Sequence, residues 1–350
     1  MKGKDITIYD LAHQLKLSSA TVSRALKDDP QISVKTRKKI FELAEKMGYR
    51  TNYFARNLRS QKTNTIGCIV HELQSSFINS VLAGIEKVTA EAGYDLLIAH
   101  SAESYKREIA NAKNLFQKRV DGLIASLSID SENLDHFQSF TEKGVPVVFF
   151  DRVGKDDSYT TVIIDNYKCG YKATEHLIDQ GCRKIVIVTS SPARNVYAER
   201  LRGYKDALFD YGLPYDETLV IINDLSENAG ISSAHQILAM KPMPDGAFIA
   251  NDFVAAVSMR VLKENNISIP DEIAIVGFNN DVIGKIVEPS LSTIHYAGRE
   301  MGEVSARTII AQLKGESSVQ KINTIIINSD IVIRNSSLKR NADQSNPGNT

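Results

Sequence analysis

The chain has 350 residues, 43% hydrophobic and 24% charged, enough for two or three domains with their own cores. No apolar run approaches the ~20 residues needed to cross a bilayer, and the N-terminus, though Lys-rich, lacks the apolar stretch of a signal peptide. The formal net charge of zero conceals an asymmetry: 14 Lys and Arg face 6 Asp and Glu through Lys62, and 28 face 36 in the remainder. A basic head on an acidic body is the pattern of a polyanion binder. Cys68, Cys169 and Cys182 are odd in number and widely spaced, which speaks against disulfides and zinc and for a reducing cytoplasm.

Residues 7–27 read as two short helices around a tight turn. Ile8, Leu11, Ala12, Leu15 and Leu17, then Val22, Ala25 and Leu26, recur at helical spacing and converge on one small core. Lys16-Leu17-Ser18 has room only for a sharp helix–helix connection. Thr7 is placed to cap the first helix, with Asp10 near its positive end, and Ser18 to cap the second. The second helix then exposes Ser19, Ala20, Ser23, Arg24 and Lys27, short or cationic side chains suited to a major groove and to phosphates. A third helix follows Ser33, with Ile40, Phe41, Leu43, Ala44 and Met47 expected to face inward and Gly48 to close it. Residues 50–62 form a basic linker whose weak stripe, Phe54, Ala55 and Leu58, is too short and polar for a helix that stands alone.

From Thr65 onward short apolar strands alternate with helices. Strands are expected at 66–70, 94–99, 121–125, 145–150, 162–164, 184–188, 219–222, 247–250 and 273–278. Helices are expected near 78–92, 104–118, 132–143, 167–180, 197–211, 228–240 and 252–264. Repeated βα units imply parallel sheets covered on both faces, and two runs of about four or five strands imply two similar lobes with a crevice at the strand C-terminal ends. The polar, Asn-bearing segment 339–350 reads as a disordered tail.

Such a fold serves many nucleotide-dependent enzymes, but the glycine signals those enzymes need are missing. There is no G-x-G-x-x-G after the first strand, no G-x-x-x-x-G-K-S/T, no G-x-S-x-G and no H-E-x-x-H. No catalytic residue, cofactor or metal is therefore expected, and His71, His100, His136, His176, His235 and His295 read as structural. What recurs is a polar residue just after a strand: His71-Glu72, Ser101, Asp151-Arg152, Asp165-Asn166, Asn251-Asp252 and Asn279-Asn280. Carboxylates and amides converging on a cleft suit a polyhydroxylated ligand, and Arg200 could add a forked donor. The same residues are also common helix N-caps, the reading preferred here for Asp165 and Asn280.

Together the blocks Thr7-Ile8-Tyr9-Asp10-Leu11-Ala12, Ser18-Ser19-Ala20-Thr21-Val22-Ser23-Arg24-Ala25-Leu26, Ser33-Val34-Lys35-Thr36-Arg37 and Gly48-Tyr49 resemble the lactose-repressor (LacI/GalR) family of bacterial regulators. Gly84-Ile85-Glu86, Asp121-Gly122-Leu123-Ile124, Arg200-Leu201-Arg202-Gly203-Tyr204, Asn251-Asp252, Val276-Gly277-Phe278 and Arg334-Asn335-Ser336-Ser337 continue the likeness to about Ser337. The resemblance implies an all-α helix-turn-helix head and an α/β body of two doubly wound parallel-sheet lobes, like periplasmic sugar-binding proteins. It implies a cytoplasmic, nucleoid-associated transcriptional regulator, most simply a repressor. Its partners would be a near-palindromic double-stranded DNA operator, a second copy in a homodimer and a small-molecule effector, carbohydrate in kind. No membrane partner is implied.

In that family Ser19, Ala20 and Arg24 would meet base edges, while Thr21, Ser23 and Lys27 would lie near phosphates; Thr7, Tyr9, Ser18 and Thr36 complete the expected DNA-binding set. Asn52, Ala55, Arg56 and Leu58 match the hinge helix, with Leu58 as the minor-groove wedge. Ser76, Phe77, Asp151, Arg200, Asn251 and Asn279 fall on effector positions. The implied boundaries are 1–50 for the head, 51–63 for the hinge and linker, 64–161 plus 295–323 for one lobe, and 162–294 plus 324–338 for the other. Three departures stand out: Thr51 replaces the usual hinge proline, Asn279 a common aspartate, and Leu225 an aromatic that stacks on ligands in several members. The Leu225 departure weighs against the alternative of a purine corepressor. A free-standing solute-binding protein is the other alternative, opposed by the basic head.

Overall fold

The computed structural model describes residues 6–49, 62–156, 158–316 and 324–339. It divides into two units, Met1–Thr63 and Asn64–Thr350. The hinge positions Asn52, Ala55, Arg56 and Leu58 lie outside the described residues, as does the expected tail from 340 on.

The first unit holds three helices, α1 (Ile8–Leu15), α2 (Ser19–Ala25) and α3 (Val34–Met47). Thr7 accepts a bond from the Asp10 amide, and the Asp10 carboxylate accepts one from the Thr7 amide at 2.7 Å, so the two residues cap the helix reciprocally. Lys16, left-handed at φ 54°, stops α1, and Ser18 accepts from the Thr21 amide at 3.1 Å to start α2 two residues later. Ser33 caps α3 in the same way and Gly48 ends it at φ 66°. Leu11, Val22, Ala25 and Ile40 are wholly buried where the helices meet. Phe41 corrects the sequence reading. It is 45% exposed, because the buried stripe of α3 runs through Ile40 and Ala44, four residues apart, and turns the neighbouring ring outward.

The second unit contains two six-stranded sheets. In chain order its elements are β1 (Thr65–Val70), α4 (Ser76–Glu91), β2 (Asp95–His100), α5 (Tyr105–Gln117), β3 (Gly122–Ala125), α6 (Asp135–Glu142), β4 (Val147–Phe150) and β5 (Thr160–Ile164). There follow α7 (Asn166–Asp179), β6 (Ile185–Thr189), α8 (Asn195–Asp210), β7 (Val220–Ile222), α9 (Glu227–Ala239), β8 (Gly246–Ile249), α10 (Asp252–Glu264) and β9 (Ala274–Asn279). The last are α11 (Ile283–Ile286), β10 (Ser292–His295), α12 (Gly298–Leu313), β11 (Thr324–Ile327) and β12 (Ile331–Val332). The first sheet runs β11-β5-β4-β3-β1-β2, all parallel. The second runs β12-β10-β9-β8-β6-β7, parallel except for β12 against β10. In both, strand order reverses at an internal pair, β3/β1 and β8/β6, the switch point where such sheets open a crevice.

The chain passes between lobes three times, and each passage refines an expected boundary. The strand from Thr160 to Ile164 belongs to the first sheet, so the first passage follows Ile164 rather than 161. His295 still pairs in the second sheet, opposite Asn279, so the second passage is Tyr296-Ala297. The strand Thr324–Ile327, assigned from sequence to the second lobe, pairs in parallel with β5 of the first. A run of isoleucines suits a strand, but does not say which of two sheets completes its ladder; here it lies at a sheet edge, with Ile326 61% exposed.

Motif glycines set the helix packing. A Cβ on Gly203 would stand 2.1 Å from the Tyr167 carbonyl oxygen, and one on Gly170 2.3 Å from that of Arg200, so α7 and α8 touch backbone to backbone. Gly84 and Gly302 do the same for α4 and α12, at 2.2 Å from the Arg299 oxygen and 2.0 Å from the Val81 oxygen. One cluster of buried apolar residues is shared by both lobes, from Ile66, Phe77 and Phe150 to Ile185, Tyr204 and Phe278.

Candidate functional site

On the head, the structure presents Tyr9, Ala20, Arg24 and Lys27 exposed, with Ser19, Thr21 and Ser23 half-buried beside them on α2. Arg24 and Lys27 have no ion-pair partner among the described residues. Thr7, Ser18 and Thr36 are engaged locally: Thr7 and Ser18 cap helices, and the Thr36 hydroxyl lies 2.8 Å from that of Ser33. Their sequence assignment to DNA therefore coincides with a helix-capping duty.

The effector positions fall into two groups. Ser76, Phe77 and Asn279 line a cavity of about 470 Å³ together with Ser80, Asn280, Asp281, His295, Tyr296 and Glu300. Asn279 ends β9 at φ 122°, a strained backbone for a residue with a side chain. Asp151 and Arg200 lie behind that wall, 5% and 3% exposed. Asn251 joins neither group; its side chain caps α10 by accepting from the Val254 amide at 3.1 Å. Asp165 caps α7, as expected, through the Lys168 amide at 2.9 Å. Asn280 does not act as a cap. Its amide nitrogen lies 3.1 Å from His295 Nδ1 and its oxygen accepts from Arg334 at 2.5 Å, which the loop's distant partners dictate.

Tyr296, which the sequence reading passed over, separates the two groups. Its ring stacks on Phe77 with centroids 4.1 Å apart and 19° between planes, and meets Phe278 edge-on at 5.6 Å. Its hydroxyl donates to Asp151 Oδ1. The Arg200 guanidinium lies 3.5 Å from the Phe278 ring centroid and 5.5 Å from that of Tyr296. Arg200 Nε donates to Asn166 Oδ1 at 2.8 Å and Nη1 to the Ala250 carbonyl at 3.3 Å. Burial pushes the Asp151 carboxyl above its usual range, against Arg152, the Tyr296 hydroxyl and Arg200.

Beside this cluster the lobes bond directly. Arg152 donates to the Tyr197 hydroxyl at 3.0 Å and to both Glu103 oxygens at 2.7 and 2.8 Å. Asn195 donates to the Asp151 carbonyl and accepts from the Val153 amide, both at 3.0 Å, and Arg194 donates to the Ser131 carbonyl. Burial works against the Arg152 charge, but Tyr197, Glu103 and Asp151 outweigh it and hold its pKa above the ordinary value. His71, buried near Arg152 and His100, is held well below its usual pKa, first by burial. The Asp151-Arg152 pair stood out in the sequence as polar residues after a strand; nothing in sequence joined them to Tyr197 or Tyr296.

The loop closing the cavity rests on Asp252. Its carboxylate accepts from the Asp281 amide and the Thr293 hydroxyl, each at 2.7 Å. A Cβ on Gly277 would sit 2.2 Å from Asp252 Oδ1, so the Asn251-Asp252 and Val276-Gly277-Phe278 motifs are two halves of one contact. Burial raises the Asp252 pKa to about 6, with the Thr293 and Asp281 bonds pulling the other way. The closing motif is equally specific: Arg334 Nη1 donates to the Leu291 carbonyl at 2.6 Å, and Ser336 Oγ to that of Ile275 at 2.7 Å. Among the described residues no group of His, Cys, Asp and Glu is placed to hold a metal, and no helix is long and apolar enough to cross a membrane.

A helix-turn-helix head with an open cationic face, joined to a two-lobed body with a buried polar seam, defines a DNA-binding transcriptional regulator with an effector-binding body. The family described as periplasmic binding proteins and sugar binding domain of LacI family matches residues 63–335, and bacterial regulatory proteins, lacI family, matches residues 7–52. The chain belongs to the LacI family, whose members are transcriptional regulators. It is 28% identical to catabolite control protein A of Priestia megaterium over 314 residues, covering 89% of this chain and 94% of that one. The structure of a transcriptional regulator CelR–cellobiose complex aligns with a TM-score of 0.70 at 26% identity, over 95% of this chain and 99% of that one. A lac repressor dimer bound to operator and an anti-inducer aligns at 0.85 and 23% identity, over 96% and 100%. The family resemblance and the fold class read from sequence are borne out.

Proposed function

We propose that this regulator is a cytoplasmic, nucleoid-associated repressor that binds a near-palindromic operator as a homodimer and releases or grips it according to a carbohydrate held between its lobes. It carries out no catalysis. Arg24 reads a guanine from the major groove, with Ser19 and Ala20 beside it; Tyr9, Thr21, Ser23 and Lys27 follow the phosphates. The hinge roles of Asn52, Ala55, Arg56 and Leu58 rest on the sequence resemblance. Asp151 and Arg200 are the polar anchors of the effector, and Ser76, Phe77 and Asn279 are its wall.

The observation that carries this reading is the convergence of Asp151, Arg200, Asn166, Phe77 and Phe278 on one seam between the lobes. A carboxylate, a guanidinium and aromatic faces are the recognition chemistry of a hydroxyl-bearing ring. The cellobiose complex of a structural relative supports a saccharide over a purine. Exposed Phe253, Val282 and Ile286, at 46%, 63% and 72%, supply an apolar patch on the second lobe that suits a second copy. Selection of random duplexes by the full chain, followed by a thermal-shift screen of saccharides, tests the reading. An enriched inverted repeat and one stabilising saccharide are expected; no enrichment, or stabilisation by purines alone, would overturn it.

A further inference from the structure

We propose that Tyr296 is the built-in occupant of the interlobe site, and that an effector binds there by displacing its phenol ring. The inference rests on the reading that the effector binds between the lobes. Four of the groups that would recognise a hydroxylated ring already recognise this one. Phe77 supplies the stacking face at 4.1 Å, Phe278 an edge at 5.6 Å, Asp151 the acceptor for the hydroxyl, and Arg200 a cation 5.5 Å from the ring centroid. The ring is only 5% exposed, so no second ring fits among the same partners while it stays.

Its place in the chain suits a part that moves. Tyr296 and Ala297 form the second passage between the lobes, not the interior of a strand or helix. Tyr296 also walls the 470 Å³ cavity, whose mixed lining includes the polar side chains of Ser76, Ser80, Asn280 and His295. A displaced phenol therefore has space beside it and partners for its hydroxyl. With the ring in place, the lobes are bonded across Arg152–Tyr197 and Asn195–Asp151 by the chain's own groups. An effector must compete with an internal one, so its apparent affinity is lowered by the fraction of molecules in which Tyr296 has left. The seam thus selects ligands that replace both the stacking and the hydroxyl-to-Asp151 bond.

The test uses the full chain, the selected operator, and p-cresol, the free equivalent of the tyrosine side chain. Tyr296→Ala empties the seam and is expected to change operator affinity by about tenfold, a typical allosteric coupling. Saturating p-cresol should return it to near the wild-type value, toluene should not, and the wild type should ignore both. Wild-type operator affinity in a folded Tyr296→Ala protein, or rescue by toluene as good as by p-cresol, makes Tyr296 a packing residue and overturns the proposal. If Tyr296→Ala does not fold, Tyr296→Phe and Asp151→Asn should shift operator affinity equally and their combination no further; additive shifts overturn it. Arg200→Ala separates the two ideas. If it abolishes the change in operator affinity caused by a stabilising saccharide while Tyr296→Ala leaves operator affinity at the wild-type value, only the occupant fails; if the saccharide response survives in Arg200→Ala, the interlobe reading fails with it.

Discussion

The head and the interlobe seam treat their functional side chains in opposite ways. On α2 of the head and just after it, Ala20, Arg24 and Lys27 stand in solvent over a core of a few buried residues, and the two cations have no ion-pair partner among the described residues. In the seam, Asp151, Arg152 and Arg200 are at most 7% exposed and bonded to one another's neighbours. A surface that must meet a partner whole is left open. A site that must report occupancy is kept satisfied from within, because an unpaired buried charge costs several kcal/mol. On the proposed reading, the head offers its groups and the seam must be made to give them up.

Variants of either region should therefore separate stability from function differently. The largest effect is expected from Leu11→Ala, which removes a wholly buried side chain from the small core of the head at a cost of about 2–5 kcal/mol. Calorimetry should show the head's transition lost and the body's unchanged, with operator binding abolished. Gly203→Ala presses a methyl against the Tyr167 carbonyl at 2.1 Å and should cost about 1–3 kcal/mol in the body's transition alone. A melting profile that leaves the body untouched would contradict the close α7–α8 contact. Arg24→Ala reverses the pattern: stability should hold within ~0.5 kcal/mol while operator affinity falls by about 1–3 kcal/mol, as anisotropy would measure.

Asp252 offers a pH test within the seam's own supports. Its folded pKa, about 6, lies above that of the unfolded chain, so the native state holds the extra proton between pH 4 and 6. Stability linked to this group is present below about pH 4 and declines as pH rises to about 6, by on the order of 3 kcal/mol. Denaturant titrations of Asp252→Asn should show that decline flattened; the same slope in the variant would assign it elsewhere. The smallest effect is expected from Lys27→Ala, which should weaken binding to all sequences alike and reduce the salt slope by about 1.

What could be read from sequence follows the same division. Thr7, Ser18, Ser33 and Gly48 act on neighbours within a few residues, so the caps of the head were legible to the residue. The alternation of strands and helices was legible too, with most ends within one to three residues of the observed ones. Neither β11 nor the choice of its partner was, since ladder choice is set between segments 163 residues apart, Thr324 opposite Thr161. Motif blocks could be recognised, but the contact of Gly277 with Asp252 that explains two of them appears only when β9 and α10 are side by side. The seam was half legible. Asp151 and Arg200 stood out by type, whereas Tyr296 had no mark in sequence, and the strand before it, Ser292–His295, was not expected.

The central claim is that occupancy of the seam sets the grip of the head on DNA. The direct measurement is the operator affinity of the full chain by anisotropy, with and without a saturating saccharide that raises its melting temperature. A change of about fivefold or more, absent in Arg200→Ala, is the predicted result. Identical operator affinity for the free and the saturated protein would contradict it.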